Sequence, residues 1–437
     1  MTWTNWAGNV TATPAEVVRA VTVDDVRAAV GRAAAGRAAG GGAGLRVGGT
    51  GHSFTPLVAT EGVLLTLDGL RGITGVDPES RRVRVAAGTP FHELNPALQD
   101  LGLALPNLGD IDRQTLAGAI ATGTHGTGSR RRGIAAAVCG LTLVLADGSL
   151  VTCSADAEPD LFEAARVGLG ALGVVVEVEL QCVPAFRLHA KEGTVRLSRL
   201  LTGLQAEADA HDHLDVHWFP HTDRVMIKRN NRVAPGEGPP PLPPWRHRLD
   251  DDLLANRVYE RLNRAVARRP GAARAANRLA SSILGSREYA DDSWKVFSSP
   301  RDVRFVEMEY AVPRSSVEAV VTELRSWFDR TREPVTFPVE LRFTGGDDVW
   351  FSTAYQRDNA YVAVHQYHRM DPRPMFAAFE AIAAEHQGRP HWGKVHTLGA
   401  ERLHGLYPRF DAFREVRDRV DPQRLFTNDH VRHLLGD

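Results

Sequence analysis

In the segment P-V-E-L-R-F, Val339, Leu341 and Phe343 alternate with Glu340, Arg342 and Thr344. On a strand this period of two sets a carboxylate and a guanidinium side by side on one face. Such a pair can orient a polar ligand and steady developing charge, or it can be a cross-strand ion pair of minor energy. The same period in Y-V-A-V-H-Q-Y puts His365 and Tyr367 together, and Lys394 follows in the H-W-G-K loop, His391 to Lys394. Three glycine-rich turns lie upstream. Arg46, Val47, Gly48, Gly49, Thr50, Gly51, His52 and Ser53 form the first, after a short β-like run. Its glycines allow backbone N–H groups to converge on a phosphate. The spacing is not G-x-G-x-x-G, which is wrong for a Rossmann turn. The second runs from Gln114 to Gly128 and includes Thr115, Gly118, Thr122, Thr124, His125 and Gly126. Its small residues suggest backbone lining a ligand, with threonine hydroxyls for phosphate or ribityl oxygens. The third, Gly168 to Val175, contains Gly173 and Val174. Together the turns suit one long dinucleotide met from several sides.

The elements that must position these groups fall into two textures. The 437 residues correspond to two or three domains at about 150 residues each. A hydrophobic content of 43% is enough for real cores and excludes a disordered chain. Helical patterns at 23–39 and 91–101 intervene among strands at 63–67 and 82–87, and Asp147-Gly148 marks a hairpin. The proline-rich run 234–244 reads as a polyproline-type loop. An arginine-laced helical region spans 249–284. Strand and helix then alternate, with R-F-V-E-M-E-Y-A-V before a helix at 314–330 and another helix at 374–386. The expected division is 1–186, 187–398, and a C-terminal segment 399–437 that returns to the first domain.

A formal net charge of −1 gives no electrostatic reason to expect nucleic acid or an anionic membrane as a partner. Cys139, Cys153 and Cys182 form no C-x-x-C pair, so neither a disulfide framework nor a metal site is expected. No secretory leader and no membrane span are visible. The expectation is a cytoplasmic protein.

The loop G-G-T-G-H-S-F, the segment A-T-G-T-H-G-T-G and the turn G-L-G-A-L-G-V together resemble the FAD-binding domain of the vanillyl-alcohol oxidase family. H-W-G-K, V-E-L-R-F and M-E-Y-A-V-P-R resemble its aldonolactone oxidoreductase branch, and the resemblance runs from N-W-A-G to L-F-T-N-D. It implies an α+β fold: a two-subdomain FAD-binding domain of the vanillyl-alcohol oxidase/p-cresol methylhydroxylase type, with an α+β substrate cap built on an antiparallel sheet. The cofactor would be FAD, bonded covalently through His52. No cysteine lies in 106–128, so a second covalent link is not expected. Cofactor contacts would come from the three turns, from Asp110, and from His391 and Lys394.

The resemblance also assigns the chemistry. Loss of hydride from a carbinol carbon requires its hydroxyl to lose a proton, and Glu340 and His365 are the available acceptors. Arg342 and Lys394 are fixed cations for the charge that develops. Substrate would meet Asp110, Glu340, Arg342, Tyr367 and Lys394. Two substrate classes compete: a sugar lactone of the L-gulono-1,4-lactone or D-arabinono-1,4-lactone type, and an alditol such as xylitol. Asp110 and Tyr367 stand where alditol oxidases carry serine and threonine, which favours the lactone. Gly109 falls at the family's oxygen gate, where glycine leaves space for O2, although another electron acceptor is also open. A non-catalytic flavin-binding protein would not need Glu340, Arg342 and Lys394 together.

Overall fold

The computed structural model describes residues 2–40, 44–283, 285–299 and 301–437. Three sheets organise it. A parallel three-stranded sheet has Val63–Thr66 at its centre, flanked by Glu16–Arg19 and Leu45–Gly48. The helix Val23–Ala38 joins the first strand to the others, started by a capping box between Thr22 and Asp25. The first glycine loop leaves the end of Leu45–Gly48. An antiparallel five-stranded sheet then runs Leu150–Ser154, Val138–Val144, Val174–Gln181, Arg82–Ala86, Ile73–Asp77 in spatial order. Its hairpin turns at Asp147-Gly148, where Gly148 takes φ +81°, a left-handed conformation that glycine adopts without strain.

The third sheet is antiparallel with eight strands. Their order is Arg287–Asp292, Arg187–Arg196, Arg224–Val233, His213–Trp218, Val339–Thr344, Asn359–Tyr367, Phe305–Pro313, Arg389–Pro390. Strand alternation sorts its two faces. Leu214, Val216, Leu341, Val362 and Val364 pack into one apolar core with Phe328 and Phe379, from the helices Val317–Thr331 and Arg373–Glu385. The intervening positions carry the charged groups. They face the glycine-rich half, which is joined to this sheet by Gly128, whose N–H donates to the Phe343 carbonyl at 2.7 Å.

The C-terminal helices Ala400–Leu406, Phe410–Val420 and Asp429–Leu435 put Leu403, Tyr407, Phe413 and Leu434 into the core shared with Leu98 and Leu161. The Leu45 N–H donates to the Leu425 carbonyl at 2.9 Å, so the chain's end braces the strand that launches the first glycine loop. The arginine-laced helical region continues to Ile283; residue 284 lies outside the described residues. No described helix is long and apolar enough to cross a membrane.

Candidate active site

The three glycine turns converge on one cleft. Residues 47–53 form one wall, Thr115, Gly118 and Thr122 another, and Gly170 and Gly173 the floor. The cleft needs its glycines. A Cβ on Gly49 would lie 2.8 Å from Thr115 Oγ1, and Gly51 takes φ +75°, so side chains at either position would fill or distort the cradle. Lined by glycines and other small residues from three separate turns, it suits a dinucleotide, with Thr115 and Thr122 among its lining.

Arg46 reaches the cleft but spends its guanidinium on protein. It donates to the carbonyls of Leu57 (2.6 Å), Gly170 (2.9 Å), Phe426 (2.7 Å) and Leu169 (2.8 Å). Its role is to clamp the first and third turns to the C-terminal segment. Val174 differs from expectation: the strand's alternation buries it in a core with Leu45 and Leu65, and Val175 lines the cleft instead. Gly126 also lies off the cleft. A Cβ there would meet the Leu108 carbonyl at 2.1 Å, so it permits close packing of the 107–108 backbone. Thr124 accepts a hydrogen bond from Gln114 Nε2 at 3.2 Å, outside the lining.

His52 lines the cleft with its ring 5.5 Å from that of Trp6. Burial, with Lys394 and Arg113 nearby, brings its pKa down to about 4. The imidazole is therefore neutral at neutral pH, with a nitrogen lone pair available as a nucleophile.

Beside this cleft the eight-stranded sheet presents a buried charge network. Arg342 Nε donates to Asp215 Oδ1 at 2.8 Å. Its Nη2 lies 2.5 Å from Glu340 Oε1 and 3.3 Å from Asp110 Oδ2. Asp110 in turn accepts from Arg301 at 2.5 Å. Burial opposes these charges, but the opposing partners prevail. Arg342 and Arg301 hold Asp110 at about 2, and Arg342 and His217 hold Glu340 well below the usual carboxylate range. Glu340 Oε1 is buried between Arg342 Nη2 and His217 Nε2, the latter 3.3 Å away. A carboxylate so placed can still accept a ligand hydroxyl through its remaining lone pairs.

A second cluster adjoins it. Lys394 pairs with Glu307 and lies 5.1 Å above the Phe54 ring. His365 Nε2 is 3.5 Å from Glu307, and its Nδ1 is 3.1 Å from the Pro338 carbonyl. Burial disfavours the Lys394 charge, but Glu307 and Glu309 hold its pKa above the usual value. Glu309 pairs with His125 at 3.4 Å, and the His125 ring stacks on Tyr361 at 3.6 Å. His391 completes this group, and ligand atoms of His125, Glu309 and His391 lie within 4.8 Å of one another. The hydrogen bonds favour protons over a metal there. His391 Nδ1 accepts from the Gly393 N–H at 3.0 Å, so a metal on its other nitrogen would require a fully deprotonated ring.

The structure thus unites Asp110, Glu340 and Arg342 in one network and His365 with Lys394 in its neighbour. It does not bring Tyr367 to them. Tyr367 shares a strand face with His365 but sits two residues further out, and its hydroxyl donates to Glu260 at 2.8 Å. Sequence reasoning missed Asp215, His217, Glu307 and Glu309, although H-L-D-V-H-W and F-V-E-M-E-Y carry the same two-residue alternation as E-L-R. Arg301 lies in an irregular connection, where no periodicity could have marked it.

Comparison with known proteins follows the same lines. Residues 178–434 match the family model described as D-arabinono-1,4-lactone oxidase, and residues 14–154 match a FAD binding domain. The chain is 38% identical over 434 residues to an L-gulono-1,4-lactone dehydrogenase of Mycobacterium tuberculosis, covering 99% of each. It is 31% identical over 441 residues to the L-gulonolactone oxidase of Mus musculus, covering 99% of this chain and 97% of that one. An alditol oxidase of a Streptomyces species is 32% identical over 443 residues, covering 99% and 98%. Among solved structures, cholesterol oxidase from B. sterolicum superposes with a TM-score of 0.82 at 20% identity, covering 99% and 96%. That likeness concerns the fold.

Proposed function

Because the chain belongs to the D-arabinono-1,4-lactone oxidase family of FAD-dependent oxidoreductases, we propose that it oxidises a secondary CH–OH of a sugar-derived lactone of the L-gulono-1,4-lactone or D-arabinono-1,4-lactone type. The observation that carries this reading is the buried Glu340–Arg342 pair, 2.5 Å apart, on the sheet beside the glycine-lined cleft. FAD, when bound in the cleft, supplies the acceptor for the two electrons of the C–H bond. The first loop, Thr115, Thr122 and Gly173 hold it. Glu340 receives the hydrogen bond of the substrate hydroxyl, and Arg342 faces the carbonyl oxygen as it forms. Lys394 offers a fixed cation, and His365 a second acceptor. A covalent bond from His52 to the flavin is supported by the neutral state of its ring.

The substrate half is proposed to span 187–398 and the FAD half 1–186 with 399–437, supported by the start of the eight-stranded sheet at Arg187. Gly109 supports reoxidation by O2 with release of H2O2. A Cβ there would meet only Thr124 Cγ2 at 3.4 Å and the His125 carbonyl at 3.5 Å. Three unpaired cysteines support a reducing, cytoplasmic setting. An alditol oxidase activity is the second reading, favoured by the 32% identity to such an enzyme. Against it stands Asp110, whose carboxylate is already shared between Arg301 and Arg342.

The test is product analysis after incubation with L-gulono-1,4-lactone under air, with H2O2 measured alongside. One H2O2 per lactone oxidised supports the oxidase form. Lactone oxidation that needs an added dye keeps the substrate and replaces O2 with another acceptor. No product with either sends the reading to the alditol class.

A further inference from the structure

We propose that His217 takes up, through Glu340, the proton that leaves the substrate hydroxyl; the proposal rests on the lactone-oxidising reading above. His217 stands directly opposite Glu340 in the register of two adjacent strands. Its Nε2 lies 3.3 Å from Glu340 Oε1, and both side chains are 7% exposed. Its Nδ1 is buried without a hydrogen-bond partner among the described residues. Once Glu340 carries the substrate proton, a ring with its own proton on Nδ1 presents an Nε2 lone pair to receive it.

Oxidation of a carbinol releases a proton, and Glu340 cannot keep it. Despite burial, Arg342 and Arg301 hold that carboxyl well below its usual range. The groups around His217 narrow the choice. Asp215 lies two residues back on its own strand and is already bound to Arg342. Lys228, opposite Asp215 on the other flanking strand, pairs with Glu192. Met226, directly opposite His217 on that strand, cannot titrate. Asp110 and Arg301 lie beyond Arg342, paired with each other. His365, one strand beyond Glu340, faces Glu307. Within this shell His217 alone contacts Glu340 and belongs to the residue type that exchanges protons near neutrality.

In the step, the carbinol O–H bond breaks and its electrons form the second C–O bond. The C–H hydrogen and its electron pair would be accepted by FAD when it occupies the glycine-lined cleft. The hydroxyl proton passes to Glu340 and on to His217 Nε2. The chain is left with an imidazolium beside a carboxylate, and the substrate with a carbonyl. His217 acts through Glu340, so it positions and discharges the acceptor without touching the reacting carbon.

The experiment compares wild type with His217→Gln in anaerobic stopped flow with L-gulono-1,4-lactone, reading flavin absorbance. Flavin bleaching is expected to slow roughly 10²-fold, with lactone affinity within about 3-fold and loss of the acid limb of the rate profile. A rate within about 2-fold of wild type, or an acid limb that persists, overturns the proposal. A second readout uses histidine-selective NMR of the flavin-loaded protein, with the His217 ring assigned by its absence in His217→Gln or His217→Asn. The midpoint of the ring's titration is expected to fall in Glu340→Gln as the neighbouring carboxylate is lost. An unmoved midpoint overturns the proposal. If lactone bleaches nothing in wild type, the lactone reading falls by itself, and the NMR titration still decides for His217.

Discussion

Arg342 Nε and Asp215 Oδ1 meet at 2.8 Å across adjacent strands, which pins the guanidinium from behind while Glu340 and Asp110 meet its other end. Three carboxylates around one buried arginine push its pKa well above the usual value against the pull of burial. The cation is therefore permanent, and its direction is set before any ligand arrives. That preorganisation is what electrostatic catalysis requires, because no reorganisation remains to be done during the reaction.

Glu340→Gln and Arg342→Ala are expected to retain flavin, since neither residue lines the FAD cleft. Turnover should fall on the order of 10²–10⁴-fold. Flavin content by absorbance and initial rates with the lactone check this. Wild-type turnover in either variant would remove that residue from the mechanism.

Removing the Lys394 charge should make the bound flavin harder to reduce, because two-electron reduction adds negative charge beside it. For Lys394→Met the midpoint potential is expected to fall by on the order of 30 mV, equivalent to about 1.4 kcal/mol for a two-electron couple. A dye-equilibrium titration measures it. An unchanged potential would place Lys394 in a purely structural pair with Glu307.

His52→Ala should abolish any covalent attachment while leaving the glycine cradle intact. In wild type the flavin is expected to migrate with the denatured polypeptide on a gel, visible by its fluorescence. In the variant it is expected to be released on denaturation. Release from wild type would show a non-covalent cofactor.

Acid should destabilise the fold from mildly acidic pH downward. Burial lowers His52, His213 and His396 to about 4, and His391 and His430 to about 3. Each prefers the neutral form when folded. Below the ordinary histidine value of about 6.5 the unfolded chain binds more protons, so stability rises with pH across this window. The contribution is complete above about 6.5 and lost as pH falls toward 4 and then 3. Thermal melts between about pH 7 and 4 should show a falling Tm; a flat Tm would mean these rings are not buried as described.

Much of the site was legible because its groups sit on strands, where period two sorts side chains without ambiguity. Glu340 and Arg342 could be placed on one face from E-L-R alone. The first glycine loop was equally legible, since Gly49 and Gly51 serve a backbone need that leaves a mark in residue type. The same alternation decides between Val174 and Val175, yet choosing the face requires knowing what lies on each side. Arg46 illustrates another limit: a basic residue beside a phosphate-like loop suggests a ligand contact, whereas four carbonyls from distant segments claim it. Asp215, His217 and Arg301 act through pairings far apart in the chain, and only the sheet order brings them to Glu340, Arg342 and Asp110.

The central claim is that this site oxidises a sugar lactone, and an anaerobic titration of flavin absorbance tests it most directly. L-gulono-1,4-lactone is added to one cuvette and xylitol to another. Loss of the band near about 450 nm with the lactone, and not with xylitol, is the expected result. Bleaching by xylitol alone would contradict the account and assign the site to alditols.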